Sequence, residues 1–222
     1  MAELNNMAIR DLPQVLKRET LMEGHWRLIE NAQAYCQRLH DAGVCHSTDV
    51  FDVFADPGRA DAVAEKTLVP RDYLSCLNSL LLHHRFKPVP LAKMEDADRM
   101  HIQALTSRGI KNTEGLLLAC RSQADGVRLA SETNVPLERL ERLLTAADLM
   151  RKPGVKATKV RLFTAVGIRS LKHLGEQDPQ SFRSQLEGFI TRTGIVKAIP
   201  TPKEVASDVC WARLYPVIVE WT

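Results

Sequence analysis

Ala147-Asp148-Leu149-Met150-Arg151-Lys152-Pro153-Gly154-Val155-Lys156 runs from one apolar-periodic stretch, through a proline-glycine break, towards a second. Upstream, Leu140, Leu143 and Leu144 recur at three- and four-residue steps; downstream, Val160, Leu162, Phe163 and Val166 open another apolar face. Gly154 stands where the chain must turn, and glycine turns without a Cβ penalty. The stretch therefore predicts an amphipathic hairpin of two short helices. Its charge is one-sided. From Leu149 to Lys172 there are seven basic residues and no acidic one: Arg151, Lys152, Lys156, Lys159, Arg161, Arg169 and Lys172. The whole chain is only +3, so everything outside this +7 window sums to −4.

Working outward, the 222 residues are 45% hydrophobic, enough to bury a core, and only 5% aromatic. Strands draw on aromatic and β-branched residues, so the Leu- and Ala-rich balance points to helices. Cys36, Cys45, Cys76, Cys120 and Cys210 are odd in number and scattered, with no CxxC spacing, and are expected to be free thiols in a reducing cytoplasm. His83-His84 and Cys45-His46 lack partners at metal-ligand spacing, so no zinc site is expected. Met1 to Thr20 has no hydrophobic core of a signal peptide, and no stretch approaches a membrane span. A soluble cytoplasmic chain with no membrane partner is the expectation. GxSxG, P-loop, HExxH and GxGxxG patterns are absent from the sequence, which argues against an enzyme and against a cofactor. Glu95, Asp96 and Asp98 read as a solvated linker.

The chain also matches itself. Residues 36–89 and 102–155 agree without a gap at eleven positions, where composition alone gives about three. Leu39 pairs with Leu105, Gly43 with Gly109, Thr67 with Thr133, and Val69-Pro70 with Val135-Pro136. A truncated third copy begins at Leu162, with Gly167-Ile168 matching Gly43-Val44 and Gly109-Ile110. Capping signals divide each copy into helices. The first copy predicts one helix carrying Trp26, Ile29, Ala32, Tyr35 and Leu39, a stop at Gly43, and a short helix from a Ser47 cap to Phe54. Asp56-Pro57 and Val69-Pro70 each start a further helix. Trp26 and Trp211 are expected in the core. Thr201-Pro202-Lys203-Glu204 is a capping box that predicts a helix to about Arg213. Val217-Ile218-Val219 after it suits either a short strand or an extended arm packed against the body, and residues before Ala8 are expected to fray. These boundaries suggest an N-terminal segment (1–23), a first helical repeat (24–100), a second with the partial third copy (101–190), and a C-terminal helix and tail (191–222).

The hairpin resembles the helix-hairpin-helix motif: a hydrophobic helix, a Gly-hydrophobic-Gly turn, then a second helix. Gly154 and Val155 match the first glycine and the buried hydrophobic, while Lys156 replaces the usual second glycine and Val160 stands where alanine is common. The equivalent turn of the first copy, Pro88-Val89-Pro90, has lost its glycine and two donors, and is expected to be structural. More widely, Leu105-Thr106-Ser107-Arg108-Gly109-Ile110, Arg128-Leu129-Ala130, the stretch from Ala147 to Val155, and Leu162 through Ile168 resemble an uncharacterised bacterial family of tandem helix-hairpin-helix domains, a domain of unknown function. The resemblance covers roughly residues 30–190. It implies an all-α fold, a tandem helix-hairpin-helix repeat of about 66 residues with two full copies and a partial third, followed by a C-terminal helix and a short arm. It also implies nucleic-acid affinity. Unpaired amides at the turn and at a helix N-terminus suit a phosphate, so Arg151, Lys152, Gly154, Lys156, Lys159, Arg161, Arg169 and Lys172 are the candidate contacts. The expected function is sequence-independent binding of duplex DNA backbone. The alternative is a protein-interaction scaffold without a nucleic-acid role, in which Val217-Ile218-Val219-Glu220-Trp221 docks a partner or a second copy.

Overall fold

The computed structural model describes residues 3–95 and 98–220. Asp96 of the acidic linker and Trp221 of the tail lie outside the described residues. In chain order the α-helices are α1 (Ala32–Asp41), α2 (Ser47–Phe54), α3 (Pro57–Thr67), α4 (Arg71–His84), α5 (Arg99–Ser107), α6 (Thr113–Ala119), α7 (Gln123–Thr133), α8 (Leu137–Leu149), α9 (Ala157–Ala165), α10 (Leu171–Gly175), α11 (Pro179–Thr193) and α12 (Pro202–Ala212). Short 3-10 turns cover Ile9–Gln14, Glu23–Leu28 and Leu91–Lys93. The protein is all-helical: among the described residues extended pairing is limited to isolated bridges, Ala8 with His46 and Pro90 with Asn112. No described helix is long and apolar enough to cross a membrane.

The chain forms two compact units. The first comprises the chain to Arg85, Gly175–Ser184 and Pro200–Pro216. Its N-terminal segment is packed rather than frayed, because Leu4, Met7, Ile9 and Leu12 are apolar and all buried. The Ile9 amide donates to Cys45 O (2.8 Å) and the Ser47 amide to Met7 O (2.9 Å), pinning this segment to the turn before α2. The single helix expected from Trp26 to Leu39 is broken: Asn31 has φ 57°, a left-handed conformation that asparagine tolerates better than most residues. α1 ends at Gly43 (φ 93°), where the Val44 amide returns to Leu39 O (2.9 Å). α2 begins at Ser47 with His46 as its cap, one residue earlier than expected. Asp56 caps α3 by accepting the Gly58 amide. The C-terminal helix, expected within a separate segment, belongs to this unit. The predicted box is present at its start, with Thr201 Oγ1 accepting the Glu204 amide and the Glu204 carboxylate accepting the Thr201 amide. Trp211 is buried, donates Nε1 to Thr20 O (3.2 Å) and stacks on His84 with ring centroids 3.8 Å apart. Trp26 is half-buried instead, with Arg18 4.7 Å from its ring centroid.

The second unit comprises Phe86–Leu174, Gln185–Ile199 and the chain from Val217. Pro88-Val89-Pro90 is no helical hairpin. It is an extended lead-in whose partners are the Leu91 amide to Lys111 O (3.0 Å) and the Thr113 amide to Val89 O (2.9 Å). Two prolines suit such a strand-like edge, since only alternate amides are needed there. Asp98, read as linker, caps α5 by accepting the Met100 and His101 amides. α5 stops at Gly109 (φ 83°) with the Ile110 amide on Leu105 O, and α9 stops at Gly167 (φ 91°) with the Ile168 amide on Phe163 O. Asn134, like Leu68 of the first unit, ends its helix at φ 54°. Val217–Val219 is not a strand: Val219 is buried and the Glu220 amide donates to Arg121 O (3.2 Å).

Candidate nucleic-acid interface

α8 is held in the second unit by Leu140, Leu144, Ala147 and Leu149, all buried. After Met150 the chain turns through Gly154, whose φ of 82° is the left-handed conformation that the sequence assigns to glycine. Val155 then goes inward, its amide donating to Lys152 O (3.1 Å), and α9 leaves from Lys156. Val160, Leu162 and Phe163 carry α9 into the core. The hairpin of two helices is present as read.

The basic window divides in two. Arg151 and Lys152 are buried, which removes them from an exposed phosphate-binding surface. Arg151 Nη1 donates to Asp148 Oδ1 (2.7 Å) with both side chains out of water, and Lys152 Nζ donates to Pro153 O (3.3 Å). The second Asp148 oxygen accepts the Leu171 amide (2.7 Å), so this carboxylate ties the turn to the start of α10. Asp148 lies one residue outside the acid-free window. Its position on the inner face of α8, three residues before Arg151, was the available signal.

Gly154, Lys156, Arg161, Arg169 and Lys172 are exposed, and Lys159 is half-buried. Arg161 is partly neutralised, because its Nε lies 3.2 Å from a Glu95 oxygen supplied by the acidic linker. Lys156 has φ −114° and ψ 178°, extended backbone open to any residue, so glycine is not required at this position. It provides no side-chain cap for α9. By contrast Asp49, Asn112 and Ser122 with Asp125 occupy the starts of α2, α6 and α7. The start of α9 thus presents a positive dipole end beside Lys156 and Lys159, with no carboxylate on α9 itself.

A separate feature of this unit was not foreseen. A cleft of about 510 Å³ opens between α8 and α9, lined by residues of both helices, of the Lys93–Glu95 stretch, and by Ile168 and Arg169. Arg139 and Arg142 of α8 belong to its rim. Their alternation with Glu138 and Glu141 reads in sequence as an ordinary solvated face, which hid them. No cluster of three or more His, Cys, Asp or Glu suited to a metal ion occurs among the described residues.

Residues 97–213, more than half of the chain, match the model of a family described as a domain of unknown function (DUF4332). Nothing among curated proteins or solved structures matches the chain.

Proposed function

The chain belongs to the DUF4332 family, and we propose that this member binds the phosphate backbone of duplex nucleic acid without sequence preference. The contact is the Gly154-Val155-Lys156 turn and the start of α9, with Lys156, Lys159 and Lys172 as flanking cations, whereas Arg169 lines the neighbouring cleft. The reading includes a tandem helix-hairpin-helix architecture of about 66 residues per copy. The shared wiring of the Gly43, Gly109 and Gly167 turns supports it, since in each the following hydrophobic amide returns five residues. The observation that carries the binding proposal is an exposed helix start without a side-chain cap, next to the exposed Lys156. Helix N-termini of this kind favour phosphates through amides and dipole together.

The test is fluorescence anisotropy of the full chain against random duplex DNA across a salt series. Lys156→Glu with Lys159→Glu should weaken binding and flatten the salt dependence, which runs at about −0.9 per phosphate on logarithmic axes. Absence of binding at low salt would remove the proposal. The arm carries less of a self-association reading than its sequence suggests, because Val219 and Glu220 are already engaged in their own unit.

A further inference from the structure

We propose that the cleft between α8 and α9 binds a small carboxylate with an apolar body. Leu143, Val160 and Ile168 line it although each is buried, so its floor is apolar. At about 510 Å³ it is in the range that encloses a small organic molecule rather than a polymer.

The rim supplies the charge. Two arginines are already paired, Arg142 with Glu138 (2.5 Å) and Arg161 with Glu95 (3.2 Å). Lys93, Arg139 and Arg169 also line the cleft, and among the described residues no salt bridge or hydrogen bond is made by their side chains. Of the remaining rim acids, Asp98 accepts the Met100 and His101 amides and stays charged opposite Arg139, so with Glu141 two carboxylates stand against these three cations. An anion is therefore favoured, and guanidinium groups match the planar carboxylate through paired hydrogen bonds. The apolar floor selects the body: a bare phosphate gains nothing by covering Val160 and Ile168, whereas a hydrocarbon or aryl group does. This goes beyond the nucleic-acid reading, which rests on the turn and its lysines.

The experiment is isothermal titration of the full chain with 2-naphthoate, 2-naphthamide and inorganic phosphate, alone and with saturating duplex DNA. One naphthoate per chain is expected, with the neutral amide bound at least about tenfold more weakly and phosphate not competing. Arg139→Glu and Arg169→Glu should each reduce naphthoate affinity by about tenfold or more. Arg139→Gln replaces the first if thermal melting shows that it does not fold. Lys156→Glu with Lys159→Glu, which removes the phosphate contact, should leave naphthoate binding intact. The proposal is overturned by absence of naphthoate binding at millimolar concentration, by equal binding of the amide, by indifference to both arginine variants, or by competition from duplex DNA.

Discussion

Asp148 and Arg151 form an ion pair at 2.7 Å with both side chains almost wholly withdrawn from water. Taking one partner from a buried pair leaves a charge without its counter-ion, at a cost of about 3–5 kcal/mol. Arg151→Met should therefore destabilise the chain on that scale in chemical denaturation. Asp148→Asn added to it should recover stability, because the charge disappears while the carboxamide oxygen that replaces the carboxylate can still accept the Leu171 amide. If the double variant is no better than the single one, the charge is not what matters at this position.

Arg151 also separates two roles that look alike in a basic run. Buried, it should contribute nothing to the salt dependence of DNA binding once refolded variants are compared at equal folded fraction. Charge reversal at Lys156 should lower the logarithmic salt slope by about one. Equal slopes for Arg151→Met and Lys156→Glu would contradict this division.

Local signals were the legible ones. Asp56-Pro57 and the Thr201–Glu204 box each satisfy amides within three residues, so their meaning needs no tertiary context. The Gly43, Gly109 and Gly154 turns were legible for the same reason. Facing was not. A run of seven cations does not say which of them turn inward, and the partner that draws Arg151 in lies just upstream of the run. Glu95, which meets Arg161, is far away in sequence. The break at Asn31 is hidden because the apolar period continues across it, and Pro88-Val89-Pro90 reads as a hairpin turn because its partners, Lys111 and Thr113, come later in the chain.

Gly175 is a glycine of close approach. A Cβ there would sit 3.1 Å from both the backbone nitrogen and Cγ of Arg213, whose Nε donates to Gly175 O at 2.8 Å. At Gly154 a Cβ meets nothing, but φ 82° strains any L side chain. Both Gly→Ala variants should destabilise, Gly154→Ala by about 1–2 kcal/mol from backbone strain. The two causes differ in their remedy. Arg213→Ala relieves the crowding at Cγ and should partly rescue Gly175→Ala, while leaving Gly154→Ala unchanged; a double-mutant cycle followed by melting decides it.

Acid should loosen the helix starts. The Asp98 carboxyl lies below its ordinary value of 3.8 because it accepts the His101 and Met100 amides, and Asp178 is held low by Ser181. Asp125 is lowered first by the Ser122 hydroxyl. A depressed folded value means that these caps stabilise the fold above the unfolded value and lose that contribution as pH falls through the folded one. Melting temperature should therefore drop below about pH 4, and the drop should be shallower in the triple Asp→Asn variant. An unchanged acid limb in that variant would assign the transition to other carboxylates.

Thiol reactivity should follow burial. Cys36 is fully buried, and desolvation pushes its thiol up to about 12 despite a hydrogen bond with Tyr73 that pulls the other way. Cys120 is raised to about 11, by burial first and by the Asp125 charge second, with Arg128 opposing. Cys76, half-buried, is raised by burial to a lesser extent, and Cys45 and Cys210 are half-buried as well. Because reagent must reach the sulfur and the thiolate is the attacking species, iodoacetamide at about pH 8 should label the half-buried Cys45, Cys76 and Cys210 first. Cys36 and Cys120 should wait for denaturant. Peptide mapping against time reads the order directly, and early labelling of Cys36 would mean that α1 opens from its unit in the native state.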